Sequence, residues 1–112
     1  MGRPLVELAD TAAEVAADSQ QIAGKLRKMD EQREQGWTWK QIIDRDTTPR
    51  LPELISRVSK RLGAIGRQLQ ETIASGLASE GRSHGRIAEY FQISRQRISK
   101  LLSKQPPEER AA

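Results

Sequence analysis

The chain has 112 residues, no cysteine, one histidine and a formal net charge of +4. These numbers suit one compact domain, or one small domain with an extended helical arm. They exclude a disulfide framework and a thiolate metal site, and with His84 alone they argue against any metal or cofactor. No apolar run approaches the roughly 20 residues that cross a bilayer, and the start MGRPLVELAD has no signal-peptide core, so a cytoplasmic protein is expected.

Residues 4–35 read as one long helix, opened by Pro4, which a first turn tolerates, and closed before Gly36. Leu5, Leu8, Ala12, Val15, Ser19, Ile22, Leu26 and Met29 alternate by three and four, a heptad stripe too narrow to bury itself. Next comes WTWKQII. Thr38 is a good N-cap, Gln41 completes a capping box, and Trp37 precedes the cap as a hydrophobic staple for Ile42. A short helix over Trp39 to Asp44 follows, whose tryptophans either fill the junction between long helices or stack on bases or a partner. Asp46 to Pro52 is a connection because of its two prolines.

A second long helix is predicted from about Pro52 to Ser79, with Leu51, Ile55, Val58, Leu62, Ile65 and Leu69 in the same alternation and Ile73 and Leu77 at intervals of four. That shift rotates the buried face, so the first half should pack on the N-terminal helix and the second half on the two short helices of the C-terminal part. Glycines 63, 66 and 76 either admit a close backbone or mark a bend. Gly81 then stops the helix.

From Ser83 to Ser103 the pattern is two short amphipathic helices joined by a tight turn. Ile87, Ala88 and Phe91 share one face, Ile98, Leu101 and Leu102 another, and Ile93 lies in the turn. Ser83 and Ser94 are the start signals. The order Ile87-Ala88, Phe91, Ile93, Ser94-Arg95-Gln96-Arg97-Ile98-Ser99, Leu101 resembles the DNA-reading unit of bacterial helix-turn-helix regulators and of sigma factor region four. It is also similar to small actinobacterial regulators that carry a tryptophan-containing segment upstream. Where those proteins usually have glycine in the turn, this chain has Gln92. A left-handed non-glycine costs about 1 to 2 kcal/mol, so either the turn departs from that geometry or the strain is tolerated.

Charge points to nucleic acid independently of the resemblance. Residues 81–104 hold six basic side chains against Glu89 alone. Stability favours acidic residues in a first helical turn, yet His84, Arg86, Arg95 and Arg97 occupy these two first turns. Phosphate would supply the missing anion. Arg95, Gln96, Ser99 and Lys100 fall on or near the solvent side of the second helix and are the predicted base readers, since arginine can bond guanine and glutamine adenine in the major groove. Arg82, Ser83, Arg86, Ser94, Arg97 and Lys104 are the predicted phosphate contacts. His84 reads as a phosphate contact or plainly exposed, and no catalytic residue is assigned. Serine recombinases resemble this ending too, but their catalytic domain needs a β-sheet that the upstream helix cannot supply.

The expected architecture is all-α: residues 1–50 as helical arm and connector, 51–104 as long helix plus helix-turn-helix unit, and 105–112 as a disordered tail. Leu5, Leu8, Val15, Ile22, Leu26, Ile55, Val58, Leu62, Ile65 and Leu69 are the helix-packing or dimer residues, used in a homodimer, an antiparallel hairpin within one chain, or both. The expected function is a sequence-specific transcriptional regulator, a homodimeric repressor that binds double-stranded DNA in the major groove through the helix from Ser94 to Ser103, in the cytoplasm at the nucleoid. The alternatives are a module that binds RNA polymerase or a sigma factor, and a sequence-tolerant nucleoid protein.

Overall fold

The computed structural model describes residues 2–103; Lys104 and the tail expected to be disordered lie outside the described residues. The fold is all-α. The elements are α1 (Pro4–Glu34), α2 (Trp39–Arg45), α3 (Leu51–Ser79), α4 (His84–Phe91) and α5 (Arg95–Ser103). No helix among the described residues is long and apolar enough to cross a membrane. The chain divides into two compact units, Met1–Ile65 and the part from Gly66 onward, with the division inside α3.

In the first unit, α1 runs antiparallel to the opening half of α3, an intrachain hairpin. Leu8, Val15 and Asp18 are buried on α1, and Leu54 is fully buried on α3. The inward row of α1 is Leu8, Thr11, Val15, Asp18, Ile22, Lys25, Met29 and Gln32, an alternation of apolar and polar residues at heptad spacing. Two of its polar members, Asp18 and Lys25, bind residues beyond α1. Asp18 accepts from Arg57 Nε and Nη2 and from Arg61 Nη1, each at 3.0 Å. Glu14 lies 3.5 Å from Arg61. Lys25 donates to Asp46 and to the carbonyl of Thr47.

The hydrogen bond from Arg57 holds the Asp18 carboxyl below the usual carboxylate range against the opposing effect of burial, and the charges of Arg57 and Arg61 add to it. Burial pushes the Asp46 carboxyl up, but the Leu51 amide and the Lys25 ammonium outweigh it, so this carboxyl also lies low. Four other apolar members of the sequence stripe, Leu5, Leu26, Ile55 and Leu62, are exposed instead, while Val58 and Ile65 are half-buried.

The capping box at α2 is complete. The Gln41 amide donates to Thr38 Oγ1 at 3.1 Å, and the Thr38 amide donates to Gln41 Oε1 at 2.8 Å. Ile42 is buried and Trp37 half-buried. Trp39 does not fill a junction: it is exposed, with the Arg33 guanidinium 4.7 Å from its ring centroid. Gly66 and Gly76 admit no close neighbour, since a Cβ at either would meet nothing within 4 Å.

In the second unit the later part of α3 packs on α4 and α5. Ala74, Ile87, Ala88, Ile98 and Leu102 form the buried core, with Leu77, Ala78, Phe91, Ile93 and Leu101 against it. The second half of α3 thus serves different partners from the first, as the change in spacing predicts.

Candidate nucleic-acid interface

Three helices end by the same hydrogen-bond pattern, in which one amide reaches back five residues and the amide before it reaches back three. It joins Trp37 to Gln32 and Gly36 to Arg33 after α1, Arg82 to Leu77 and Gly81 to Ala78 after α3, and Ile93 to Ala88 and Gln92 to Glu89 after α4. The pattern needs a left-handed residue. Gly36 and Gly81 supply it at φ 89° and 90°, and Gln92 supplies it at φ 59°. The turn therefore keeps the geometry that glycine would allow and accepts the strain. Ile93, next in the chain, is drawn into the core beside Ala88 and fixes where α5 begins.

Each short helix is capped by its serine. Ser83 Oγ accepts from the Arg86 amide at 3.3 Å, and Ser94 Oγ accepts from the Arg97 amide at 3.1 Å. These are half capping boxes, because the residue that would reach back is an arginine. Neither helix has an acidic residue in its first turn. Both serines therefore serve as caps, while the arginine side chains at the third position of each helix extend into solvent.

On α5, Ile98 and Leu102 are buried, and Gln96 and Lys100, one turn apart, are exposed on the opposite side. Arg95 and Arg97 are exposed beside them, as is Arg82 ahead of α4. Among the described residues Arg95, Arg97 and Lys100 have no ion-pair partner, whereas Arg86 lies 3.7 Å from Glu89. Unpaired cations thus gather on α5, whose first turn holds Arg95 and Arg97 and no acidic residue, while at the start of α4 Arg86 has Glu89 as its counter-charge.

Ser99 is placed differently from the other predicted readers. It is half-buried, and its Oγ shares a 2.8 Å hydrogen bond with Nδ1 of His84. His84 is neither plainly exposed nor turned to solvent for a phosphate; it is half-buried and ties the start of α4 to the middle of α5. The pairing spans 15 residues, so no local spacing announces it. Tyr90, exposed on α4 with its ring 4.9 Å from that of Phe91, is the other feature that apolar patterning does not single out. It borders an open groove with Ile73 and Leu77, edged by Arg82, Arg86 and Glu89. Comparison with known proteins finds no matching family model, no similar curated protein and no similar solved structure.

Proposed function

We propose that the chain is a sequence-specific, double-stranded-DNA-binding transcriptional regulator that acts as a homodimeric repressor, with α5 in the major groove. The observation that carries this reading is the group of unpaired cations, Arg95, Arg97 and Lys100, on α5, whose serine-capped first turn holds no acidic residue. Such helix ends are electrostatically incomplete without an anion, and phosphates on either side of the groove complete them. Arg95, Gln96 and Lys100 face the base edges in this arrangement, and Ser99 is held by His84 beside them. Arg82, Arg86 and Arg97 take the phosphates, together with Lys104. A dimer gives two reading helices, which suits a site with two half-sites about 34 to 36 Å apart.

The test is selection of binding sites from genomic fragments at about 150 mM salt, where nonspecific phosphate binding is already weakened, followed by affinity for the best site against a scrambled duplex. The expected result is a palindromic site preferred about 1,000-fold or more. Equal binding to unrelated duplexes would replace this reading with a sequence-tolerant nucleoid protein. Absence of binding to any duplex would sink it. A protein-binding role has one observation in its favour, the open Ile73, Leu77 and Tyr90 groove, and its test is retention of RNA polymerase or sigma factor by a variant carrying Arg95→Ala and Lys100→Ala.

A further inference from the structure

The hairpin of the first unit carries a second apolar seam that its own core leaves uncovered. On α1 it consists of the exposed Leu5, Ala9, Ala12, Ala16 and Leu26, with exposed Ser19 and half-buried Ala23 completing a heptad alternation that includes no charged residue. Leu5 is 57% exposed and Leu26 51%. On α3 the counterpart is Ile55, 47% exposed, and Leu62, 52% exposed, with Ser59 between them. Each stripe follows the inward row by one residue: Ala16 after Val15, Ile55 after Leu54, Leu62 after Arg61. Because α1 and α3 run antiparallel, the same rotational offset brings both stripes to one face of the hairpin.

That face is symmetric about its own middle. The Asp18–Arg57 and Glu14–Arg61 pairs set Ala16 level with Ser59. Leu5 and Leu26 flank Ala16 almost equally along α1, and Ile55 and Leu62 flank Ser59 almost equally along α3. A twofold axis at that level lays Leu5 on Leu26 of a second copy and Ile55 on Leu62 of a second copy, which is the relation an isologous interface requires. The alanines let the helix backbones approach closely, and no like charges meet across the seam. Some 22 residues of α1 span about 33 Å and the 15 residues of α3 in this unit about 22 Å, each about 10 Å wide, so the face offers about 550 Å² per copy and about 1,100 Å² for the pair, above the roughly 1,000 Å² that a specific interface needs.

We infer that a second copy of this chain covers this face, forming an antiparallel four-helix bundle from two hairpins. The inference specifies the dimer of the proposed function, yet it rests on no DNA contact. Sedimentation of the full chain without DNA should give about 25 kDa at micromolar concentration, twice the 12.6 kDa of one chain. Leu26→Glu with Leu62→Glu should weaken dimerisation by about 100-fold or more while leaving the helical circular dichroism unchanged, because both residues are exposed in the single chain.

Since the chain has no cysteine, mixing Leu5→Cys and Leu26→Cys proteins under mild oxidation should give the mixed disulfide in preference to either self-disulfide. A monomeric wild type, a double variant that stays dimeric, or self-disulfides as the main product would each overturn the inference. A dimer with the expected cross-link and no selected DNA site would overturn the DNA reading and leave this face standing.

Discussion

Replacing Gln92 by glycine should stabilise the protein, against the usual sense of a glycine substitution. Gln92 sits at φ 59°, ψ 40°, where a Cβ is crowded by the backbone at a cost of about 1 to 2 kcal/mol. Its side chain is exposed, so removing it uncovers no core. Glycine also loosens the unfolded chain, which takes back about 0.5 to 1 kcal/mol. The balance is a gain of about 0.5 to 1 kcal/mol, read as a higher urea midpoint by circular dichroism with an unchanged slope. Gln92→Ala keeps the Cβ and should lie within about 0.5 kcal/mol of wild type. Gly36→Ala and Gly81→Ala should lose about 0.5 to 1 kcal/mol each by the same balance, and from the backbone alone, since a Cβ at either position meets nothing within 4 Å. A destabilised Gln92→Gly, with Gln92→Ala unchanged, would mean that the chain entropy of glycine outweighs any strain at this position and would refute the argument from strain.

Thr38→Ala should cost about 1 kcal/mol of stability, because it removes the oxygen that caps α2, whereas Thr38→Ser should restore most of it in the same urea assay. The low-lying carboxyls of Asp18 and Asp46 stabilise the folded state at neutral pH, and that contribution disappears as pH falls below about 4 towards their folded values. An acid series of urea midpoints should therefore drop in this window, and Asp18→Asn should flatten part of the drop while lowering the plateau above it. In DNA binding, Arg97→Ala should weaken all duplexes alike and reduce the salt slope by about 1, whereas Gln96→Ala should relax preference at one base pair by about 1 to 3 kcal/mol. Equal loss of discrimination in both variants, measured by competition between related duplexes, would contradict the assigned roles.

Local chemistry was the most legible part of the sequence. Thr38 with Gln41, Ser83, Ser94, Gly36 and Gly81 all act within five residues of themselves, so helix starts and stops follow from spacing alone. The apolar positions of the α4–α5 core were equally plain, because a short helix with one buried face has little freedom in how that face is composed. The long helices were harder. Heptad spacing places Leu8, Val15, Ile22 and Leu5, Leu26 on one broad arc, and only the partners of Asp18 and Lys25 show that the inward row continues on the polar side of that arc. Those partners lie 39 and 21 residues away, beyond what periodicity can register. The bond between His84 and Ser99 is hidden for the same reason: each residue alone reads as a polar group near a helix surface.

The polar members of the inward row also restrict how the hairpin can be put together. Sliding α1 by one heptad, about 10.5 Å, would keep Leu8, Val15, Ile22 and Met29 facing inward, so apolar matching barely distinguishes the correct alignment from its neighbours. The charges do. Moved one way, Lys25 would confront Arg57 and Arg61; moved the other way, Asp18 would confront Asp46, and Thr11 would leave both arginines without a carboxylate. Two ion-pair clusters of opposite sense therefore work as an alignment key, rejecting misfolded hairpins that a purely greasy seam would accept.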